Sequence, residues 1–511
     1  MTTSLSYEVD EAGLGRLAQA LALKVRSGDT LALHGDLGAG KTTFARALIR
    51  ALLDDPAAEV PSPTFSISQL YRADRMDVAH FDMYRLGSAD EAEEIGFEEA
   101  SLRGLAIVEW PERIAPLLPS DRIDISLTET ARPERRRVTL AAAGPQAERL
   151  ARMGEMLAFL DALPPWNSAR IAYLQGDAST RAYARLFTST GTAILMDAPR
   201  QPDGPPVRDG KAYSQIAHLA EDVRPFSAIA DALRAAGLSA PEIYAQDLER
   251  GLLLIEDLGD KVYGAELARG ASQAELYRAA VDVLLKLRTV PVPEAMPLRD
   301  GTTYSLPRRD RAAFEIEIDL VLDWYWPAVK GEAAPADVRE EFAALWRPVI
   351  DRLLALPGGW FLRDYHSPNI IWLPERQGLA RVGILDFQDA LREHAAFDLV
   401  SLLQDARVTV PAELEAELIT YYCAKAAEAE PGFDRDSFMT AYADFGAQRN
   451  ARLVGLWVRL LKRDGKPQYL QHLPRTWGYL DRNLRASHLA PLKAWYDHHF
   501  PPQLRRQDVL G

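Results

Sequence analysis

A glycine-rich segment restricts the fold of this 511-residue chain more than any other feature. The segment GDLGAGKTT, residues 35–43, fits the phosphate-binding pattern G-x-x-x-x-G-K-[ST]. Apolar residues 30–34 predict a buried strand before it, and residues 43–53 predict a helix after it. Glycines let backbone N–H groups surround phosphate oxygens, and a helix N-terminus adds a positive dipole end. The pattern predicts a nucleotide site in an α/β fold; the alternative is an ordinary glycine-rich turn before a helix.

Each residue type in this segment has an expected task. Lys41 is predicted to neutralise phosphate charge and to act in catalysis, and the Thr42 hydroxyl is predicted to bind magnesium. The residues expected to contact nucleotide are Gly35, Asp36, Leu37, Gly38, Ala39, Gly40, Lys41, Thr42 and Thr43.

Two further apolar runs end in carboxylates. Residues 77–85 contain Asp82, and residues 105–112 contain Glu109. P-loop folds place a second magnesium ligand or a water-positioning acid at the end of such a strand, although ordinary strands also end in acids. The segment Pro61–Phe65 is held extended by two prolines. It is either a hydroxyl-bearing loop at the phosphates or a plain connector.

The bulk composition excludes several classes of protein. A net charge of −14 argues against a broad nucleic-acid surface. The one cysteine, Cys423, permits no disulfide within the chain, which suits a reducing compartment. Residues 1–10 lack the pattern of a signal peptide, and no apolar run reaches the length of a membrane span. The expectation is a cytoplasmic protein with no membrane contact.

The motifs GDLGAGKTTF, SPTF, HFDMYR, DEAEEIGFEE and VEWPE, in this order, resemble TsaE, the ATPase subunit of bacterial tRNA threonylcarbamoyladenosine synthesis. The likeness covers residues 1–142. It implies that the P-loop binds ATP and that Thr42 and Glu109 hold Mg²⁺. It also implies that Asp82 supports the metal and water, and that Glu11 lies near the nucleotide. The implied partners are the synthase subunits TsaB and TsaD, with tRNA involved only indirectly.

A break at residues 141–145 predicts a boundary, with one domain at 1–144 and a second at 145–511. Strand patterns then give way to helical patterns from residue 272 onward. This layout is typical of a two-lobed kinase, with an N-lobe at about 165–258 and a C-lobe at about 259–511. The predicted fold class is an α/β P-loop NTPase domain followed by a protein-kinase-like, aminoglycoside phosphotransferase-like α+β domain.

Three polar residues late in the chain have the spacing of a kinase site. Asp364 is predicted to act as the catalytic base for a substrate hydroxyl, and Asn369 and Asp386 are predicted to bind magnesium. The alternative is that these residues only cap helices at the ends of loops.

The motifs QGDASTRAYARL, GLLLIEDLG, LRDYHSPNI and LDFQDAL resemble the aminoglycoside phosphotransferase-like kinases, above all the N-acetylmuramate/N-acetylglucosamine anomeric kinases AmgK of cell-wall recycling. The resemblance implies ATP, Mg²⁺ and an amino-sugar acceptor. It places Ser179 at the phosphates, Glu256 and Leu258 at the adenine, and Tyr365 and His366 at the sugar.

The chain departs from the wider superfamily at two positions. Leu362 stands where a histidine is usual, and residues 194–197 lack the usual phosphate-binding lysine. Both departures favour the sugar-kinase branch, and Arg181, Arg185 and Lys211 are candidate substitutes for the lysine. Asp398 is predicted to brace the catalytic loop.

Several alternatives remain open from the sequence. The kinase acceptor could be another small hydroxyl compound, such as an aminoglycoside or a choline-like molecule. The first domain could be mainly a nucleotide-gated binding module. The aromatic residues Trp324, Tyr325, Trp326, Trp360 and Trp372 could stack on a sugar, although a role in the core is favoured. The chain is expected to bind two ATP molecules by unrelated means.

Overall fold

A computed structural model describes residues 2–174, 181–202 and 204–510. They form two compact units: Met1–Pro199 with Tyr244–Asp257, and Arg200–Ile243 with Leu258–Gly511. None of the described helices is long and apolar enough to cross a membrane.

The strands and helices are numbered in chain order. The strands are β1 (Thr2–Val9), β2 (Thr30–His34), β3 (Ser68–Arg72), β4 (Asp77–Asp82), β5 (Leu105–Glu109), β6 (Ile123–Glu129), β7 (Arg136–Ala143), β8 (Arg170–Leu174), β9 (Ala182–Thr188), β10 (Gly191–Asp197), β11 (Pro206–Arg208), β12 (Lys211–Ala212), β13 (Ile243–Asp247), β14 (Leu252–Glu256), β15 (Met296–Pro297), β16 (Thr303–Tyr304), β17 (Gly359–Phe361), β18 (Ile370–Trp372), β19 (Val382–Ile384) and β20 (Leu391–Glu393). The helices are α1 (Glu11–Ala22), α2 (Lys41–Leu53), α3 (Asp90–Glu94), α4 (Phe97–Arg103), α5 (Gly144–Asp161), α6 (Tyr213–Ile216), α7 (Arg224–Ala235), α8 (Tyr263–Ala268), α9 (Gln273–Thr289), α10 (Arg311–Ile318), α11 (Trp326–Lys330), α12 (Ala336–Ala355), α13 (Ala396–Leu403), α14 (Ala412–Ala429), α15 (Arg435–Lys462), α16 (Leu473–Asn483) and α17 (Ala490–His499).

The first unit contains a seven-stranded sheet in the order β1-β7-β6-β2-β5-β4-β3. Its central strands β6, β2, β5 and β4 are parallel, as the buried apolar runs predict. The predicted strand at residues 30–34 is confirmed as β2, and the predicted helix begins two residues early, at Lys41. The β4–β5 register pairs Asp82 with Glu109, so the two strand-end acids lie side by side.

A second sheet in the same unit has the order β13-β14-β10-β9-β8. One continuous apolar core joins the two sheets and includes Leu31 of the first and Leu195 of the second. Helix α5 packs on the first sheet, where Gly154 lies so close to Leu5 that a Cβ would come within 3.0 Å of it. The P-loop sheet and the second sheet therefore form one packed body.

Ion pairs reinforce this packing. Asp197 at the end of β10 is buried and accepts hydrogen bonds from Lys24 and from Arg152, whose Nη2 lies 2.7 Å away. Arg149 on α5 forms a bidentate salt bridge with Asp29, in which both N–O distances are 2.6 Å. Strand β10, which lacks the usual kinase lysine, thus ends in Asp197, whose carboxylate forms ion pairs within the first unit.

The second unit is mainly helical. The 28-residue helix α15 contacts α10, α12, α13 and α16. Two short ribbons, β17–β20 and β18–β19, carry the predicted kinase residues at their ends. The P-loop α/β sheet, the second β-sheet and the helical region agree with the predicted fold class.

Candidate functional sites

The P-loop turns sharply between β2 and α2. Gly35 has φ of +142°, and a Cβ at this position would lie 2.5 Å from the carbonyl oxygen of Leu127. Gly38 and Gly40 also have positive φ, at +81° and +107°. Only glycine adopts these conformations without strain, so the loop needs glycine at 35 and 40, the two fixed glycines of the pattern, and also at 38. The N-terminus of α2 is thereby directed at the space the loop encloses.

Lys41 is held inside this loop. Its Nζ donates to the carbonyl oxygens of Gly35 and Asp36, at 2.7 and 3.0 Å, and lies 3.6 Å from the ring centre of Trp110. Burial lowers the pKa of Lys41, and the carboxylate of Glu109 opposes this shift. The ammonium is placed where it can meet an anion.

Thr42 lies against the end of β5. Its hydroxyl donates to Oε2 of Glu109 at 2.9 Å, while the other oxygen, Oε1, contacts Nε2 of His80 at 2.9 Å. His80 is fully buried. The sequence analysis assigned no role to His80. The feature that could have indicated one is a single polar side chain inside an otherwise apolar strand. Its ring fixes the orientation of the Glu109 carboxylate.

Asp82 is connected to the proline-rich loop. Its Oδ2 accepts a hydrogen bond from the Thr64 hydroxyl at 2.8 Å, and that hydroxyl lies 2.6 Å from the hydroxyl of Ser62. The Trp110 ring packs against Tyr84, with centroids 4.9 Å apart. The loop and both acids therefore meet at the edge of the sheet where the P-loop lies.

Other residues predicted to contact nucleotide vary in exposure. Ala39 is buried, whereas Asp36 and Leu37 are exposed, and Glu11 is exposed at the first position of α1. Ser179 lies outside the described residues.

The kinase motif forms a tight loop after β17. Asp398 on α13 accepts hydrogen bonds from the backbone N–H groups of Leu362 and Arg363, at 2.7 and 3.0 Å. Burial raises the pKa of Asp398 to about 7 despite these bonds. Arg363 has φ of +71°. The contacts match the bracing role predicted for Asp398, and they present Asp364 at the tip of the loop.

Asn369 and Asp386 are brought together by the β18–β19 ribbon. Ile370 pairs with Ile384, so the residues just outside this pair lie at the same end. The amide nitrogen of Asn369 donates to the backbone carbonyl of Asp364 at 2.9 Å and to Oδ2 of Asp386 at 3.3 Å. Gln388 donates to the other oxygen of Asp386 at 2.7 Å. The three predicted residues are therefore linked.

A buried charge cluster supports the catalytic loop. Glu317 on α10 contacts Arg309 and accepts from Nη2 of Arg363 at 2.9 Å and from Gln448 at 2.9 Å. Burial opposes ionisation of Glu317, but the arginines around it lower its pKa to about 2. Sequence reasoning missed this cluster, because its members are far apart in the chain.

The electrostatics suit a carboxylate base at Asp364. Burial acts to raise the pKa of Asp364, but the positive charges of Arg452, Arg363 and Arg449 outweigh it and hold the pKa below its usual value. The side chain is therefore ionised at neutral pH, and it makes no hydrogen bond within the part of the chain that the structure describes.

Two residues predicted to contact sugar are placed differently from each other. Tyr365 is 1% exposed and its hydroxyl donates to the carbonyl of Ala280 at 3.0 Å, so its side chain lies in the core; its prediction as a sugar contact is wrong. An apolar ring next to the loop gains more from burial than from a place at the surface. His366 is partly exposed, and burial lowers its pKa to about 4, so the ring is neutral at pH 7.

The remaining predicted residues lie as follows. Glu256 ends strand β14, and Leu258 packs against Ile371 and Leu373. Arg185, a candidate for the missing lysine, contacts Asp257 at 2.8 Å. Tyr325, Trp326 and Trp360 are buried, as the core interpretation predicts, while Trp324 and Trp372 are partly exposed.

Both sites have donors suited to a hard cation, since hydroxyl, carboxylate and amide oxygens are ligands that Mg²⁺ prefers. Thr42, Asp82 and Glu109 could supply one site, and Asn369 and Asp386 the other. Within residues 2–174, 181–202 and 204–510, there is no group of three or more His, Cys, Asp and Glu side chains placed to hold a metal on their own.

Comparison with known proteins assigns the two parts of the chain. The profile of the phosphotransferase enzyme family matches residues 170–436, just over half of the chain, and that of "Threonylcarbamoyl adenosine biosynthesis protein TsaE" matches residues 9–138.

Curated relatives agree with this division. An N-acetylmuramate/N-acetylglucosamine kinase of Caulobacter vibrioides is 41% identical over 350 residues, which are 67% of this chain and 95% of that protein. The protein of the same name from Pseudomonas aeruginosa is 33% identical over 327 residues, 62% of this chain and 84% of its own length. A tRNA threonylcarbamoyladenosine biosynthesis protein TsaE of Rickettsia conorii is 41% identical over 112 residues, 22% of this chain and 63% of that protein. The chain therefore belongs to the phosphotransferase enzyme family, as a fusion of a TsaE-like N-terminal region with a C-terminal region like the N-acetylmuramate/N-acetylglucosamine kinases.

Proposed function

We propose that residues 145–511 transfer the γ-phosphoryl group of ATP to the anomeric hydroxyl of N-acetylmuramate or N-acetylglucosamine, a reaction of cell-wall recycling. The observation that carries this proposal is the linked set of Asp364, Asn369 and Asp386. The names of the kinase relatives support the acceptor, and they favour an amino sugar over an aminoglycoside or a choline-like compound.

In the proposed reaction, the Asp364 carboxylate accepts the proton of the anomeric hydroxyl while that oxygen forms a bond to the γ-phosphorus. The bond from the γ-phosphorus to the bridging oxygen breaks, and ADP leaves with that electron pair. Asn369 positions the loop through the Asp364 carbonyl. Asn369 and Asp386 would hold Mg²⁺, which would neutralise phosphate charge when bound.

A panel of acceptors tests the substrate. ADP formation is measured with N-acetylmuramate, N-acetylglucosamine, kanamycin and choline. The proposal requires turnover that depends on one of the two amino sugars and exceeds turnover with the other compounds. An enzyme active only with kanamycin or choline would refute the acceptor while leaving the phosphotransferase class intact.

For residues 1–144 we propose an ATPase that acts in tRNA threonylcarbamoyladenosine synthesis with TsaB and TsaD as partners. The positions of Lys41, Thr42 and Glu109 around the P-loop support ATP with Mg²⁺, as does the TsaE profile. Leu37 and Phe65 beside this site are 82% and 86% exposed, which suits contact with another protein.

A capture experiment with purified TsaB and TsaD tests the partners. The amount of each captured by this chain is compared in the presence of ATP and of ADP. Equal or absent capture would argue against a nucleotide-gated complex.

Lys41→Ala should reduce the number of ATP molecules bound per chain from two to one. The substitution removes the ammonium that lies in the P-loop, and loss of one charge-assisted contact to phosphate should weaken ATP binding there by about 10- to 100-fold. The measurement is a titration with a fluorescent ATP analogue, together with the sugar-kinase assay. Sugar phosphorylation should remain near the wild-type rate, because the kinase residues lie in another part of the chain. If Lys41→Ala abolished sugar turnover, the assignment of separate sites would be wrong.

A further inference from the structure

One face of helix α15 carries arginines beside the catalytic loop. Arg452 and Arg459 are two helical turns apart, about 10 Å, and so lie on the same face. Nη1 of Arg452 is 3.8 Å from Oε1 of Glu317, the same oxygen that binds Arg363 at 2.9 Å. Since Arg363 precedes Asp364 directly, this face begins next to the predicted base.

Tyr213 at the start of α6 extends this surface. The Arg459 guanidinium lies over the Tyr213 ring, with Cζ 4.5 Å from the ring centre. Arg452, Arg459 and Tyr213 are all partly exposed. We call these three residues the α15 arginine face.

Positive charge on this face is incompletely neutralised. Arg452 shares the single carboxylate of Glu317 with Arg309 and Arg363, and its Nε is buried without a hydrogen-bond partner in the described chain. Tyr213 and the carboxylates of Asp364 and Asp389 also act on Arg452 electrostatically, and within the described chain none of the three forms an ion pair with it.

The end of α15 offers an internal comparison. Among the described residues no carboxylate lies within 4.0 Å of Arg459, whereas the neighbouring Arg463 is paired with Asp464 at 2.6 Å. Arg459 therefore has no carboxylate in direct contact, although the Asp464 carboxylate acts on it from a greater distance. Guanidinium groups suit a carboxylate ligand because they can donate two parallel hydrogen bonds.

We propose that the α15 arginine face binds the lactyl carboxylate of N-acetylmuramate and so favours this sugar over N-acetylglucosamine. The inference rests on the proposed kinase function, which by itself does not distinguish the two sugars. Both have the same anomeric hydroxyl, and the lactyl ether on carbon 3 is the group that one has and the other lacks. Contacts from Arg363, next to Asp364, through Glu317 to Arg452 connect the predicted base to this face. A sugar whose anomeric hydroxyl lies at Asp364 would therefore have the face as a neighbour. Of the two arginines, Arg459 is the specificity-determining residue, since among the described residues no carboxylate lies within 4.0 Å of it, whereas Arg452 has Glu317 at 3.8 Å.

The test compares three acceptors in one enzyme: N-acetylmuramate, its neutral methyl ester and N-acetylglucosamine. In Arg459→Met, kcat/KM for N-acetylmuramate should fall at least about tenfold relative to the ester, the loss expected for one charge-assisted contact. Arg459→Lys should restore part of the preference, because it returns the charge without the guanidinium fork. Lys462→Met is the control at the last residue of the same helix, since Lys462 is exposed, and it should leave the ratio of the three acceptors unchanged.

Distinct results would overturn the inference. Equal losses for the acid and the ester would show that Arg459 acts on folding or on the sugar ring, and a rise confined to the KM for ATP would assign it to the nucleotide. An unchanged preference for the acid would also refute it. If the wild-type enzyme phosphorylates neither sugar, the proposed kinase function itself fails; if it phosphorylates both and only the Arg459 prediction fails, that function stands.

Discussion

Replacing Asp364 by Asn is expected to reduce sugar-dependent ADP formation by about 10²- to 10⁴-fold, the range for loss of a general base. Asn has nearly the same shape but cannot accept the hydroxyl proton. The Asp364 side chain makes no hydrogen bond within the described residues, and the loop is held through its backbone by Asp398 and Asn369. The substitution should therefore leave the loop in place.

The measurement is kcat and KM for N-acetylmuramate and ATP, with the melting temperature recorded in parallel. The loss should fall on kcat, because a base that acts in the transition state contributes little to ground-state binding. Lys41→Ala is the matched control, since it removes a charged residue of the proposed P-loop ATP site. An Asp364→Asn enzyme with wild-type turnover would refute the role of Asp364 as the base, whatever the acceptor proves to be.

Much of the placement of the candidate site residues could be predicted because they are close in sequence or at the ends of strands. The P-loop pattern fixed β2, the loop and α2 together, since glycines and a following helix are needed in one order. The proximity of Asp82 and Glu109 could be predicted because both stand at the ends of strands, and neighbouring parallel strands bring their carboxyl ends to the same edge of the sheet. Asn369 and Asp386 flank a short ribbon, which local strand patterns indicate.

The parts that were missed depend on contacts distant in sequence. Strands β1 and β3 lie at the two edges of the first sheet, half-exposed, so their apolar pattern is weak. β1 pairs with β7, more than 100 residues away, and nothing local specifies that partner. The side-chain direction of Tyr365 and the contact of His80 with Glu109 likewise depend on tertiary packing.

Glu317→Gln is expected to destabilise the protein by about 3–5 kcal/mol, the usual result of removing one partner from a buried ionic group. Glu317 is 1% exposed and contacts Arg309, Arg363 and Gln448, with Arg452 at 3.8 Å. The amide would leave the buried guanidinium groups of Arg309 and Arg363 without their counter-charge. Because Arg363 precedes Asp364, sugar turnover should also fall.

The measurement is urea unfolding of the wild type and the variant, followed by a probe in the second unit. Glu315→Gln is the matched control on the same helix: Glu315 is 42% exposed and its arginine contacts are 3.9 and 4.0 Å, so a change of less than about 1 kcal/mol is expected.

The contribution of Glu317 to the free energy of unfolding should depend on pH with a defined sign. The pKa of Glu317 is lowered from 4.5 to about 2, so its stabilising effect is fully present above pH 4.5 and is lost as the pH falls toward 2. The difference between wild type and Glu317→Gln should therefore be constant from pH 7 to 5 and narrow below pH 4.5. A difference that disappeared between pH 7 and 5 would contradict an ionised Glu317 at the centre of the cluster.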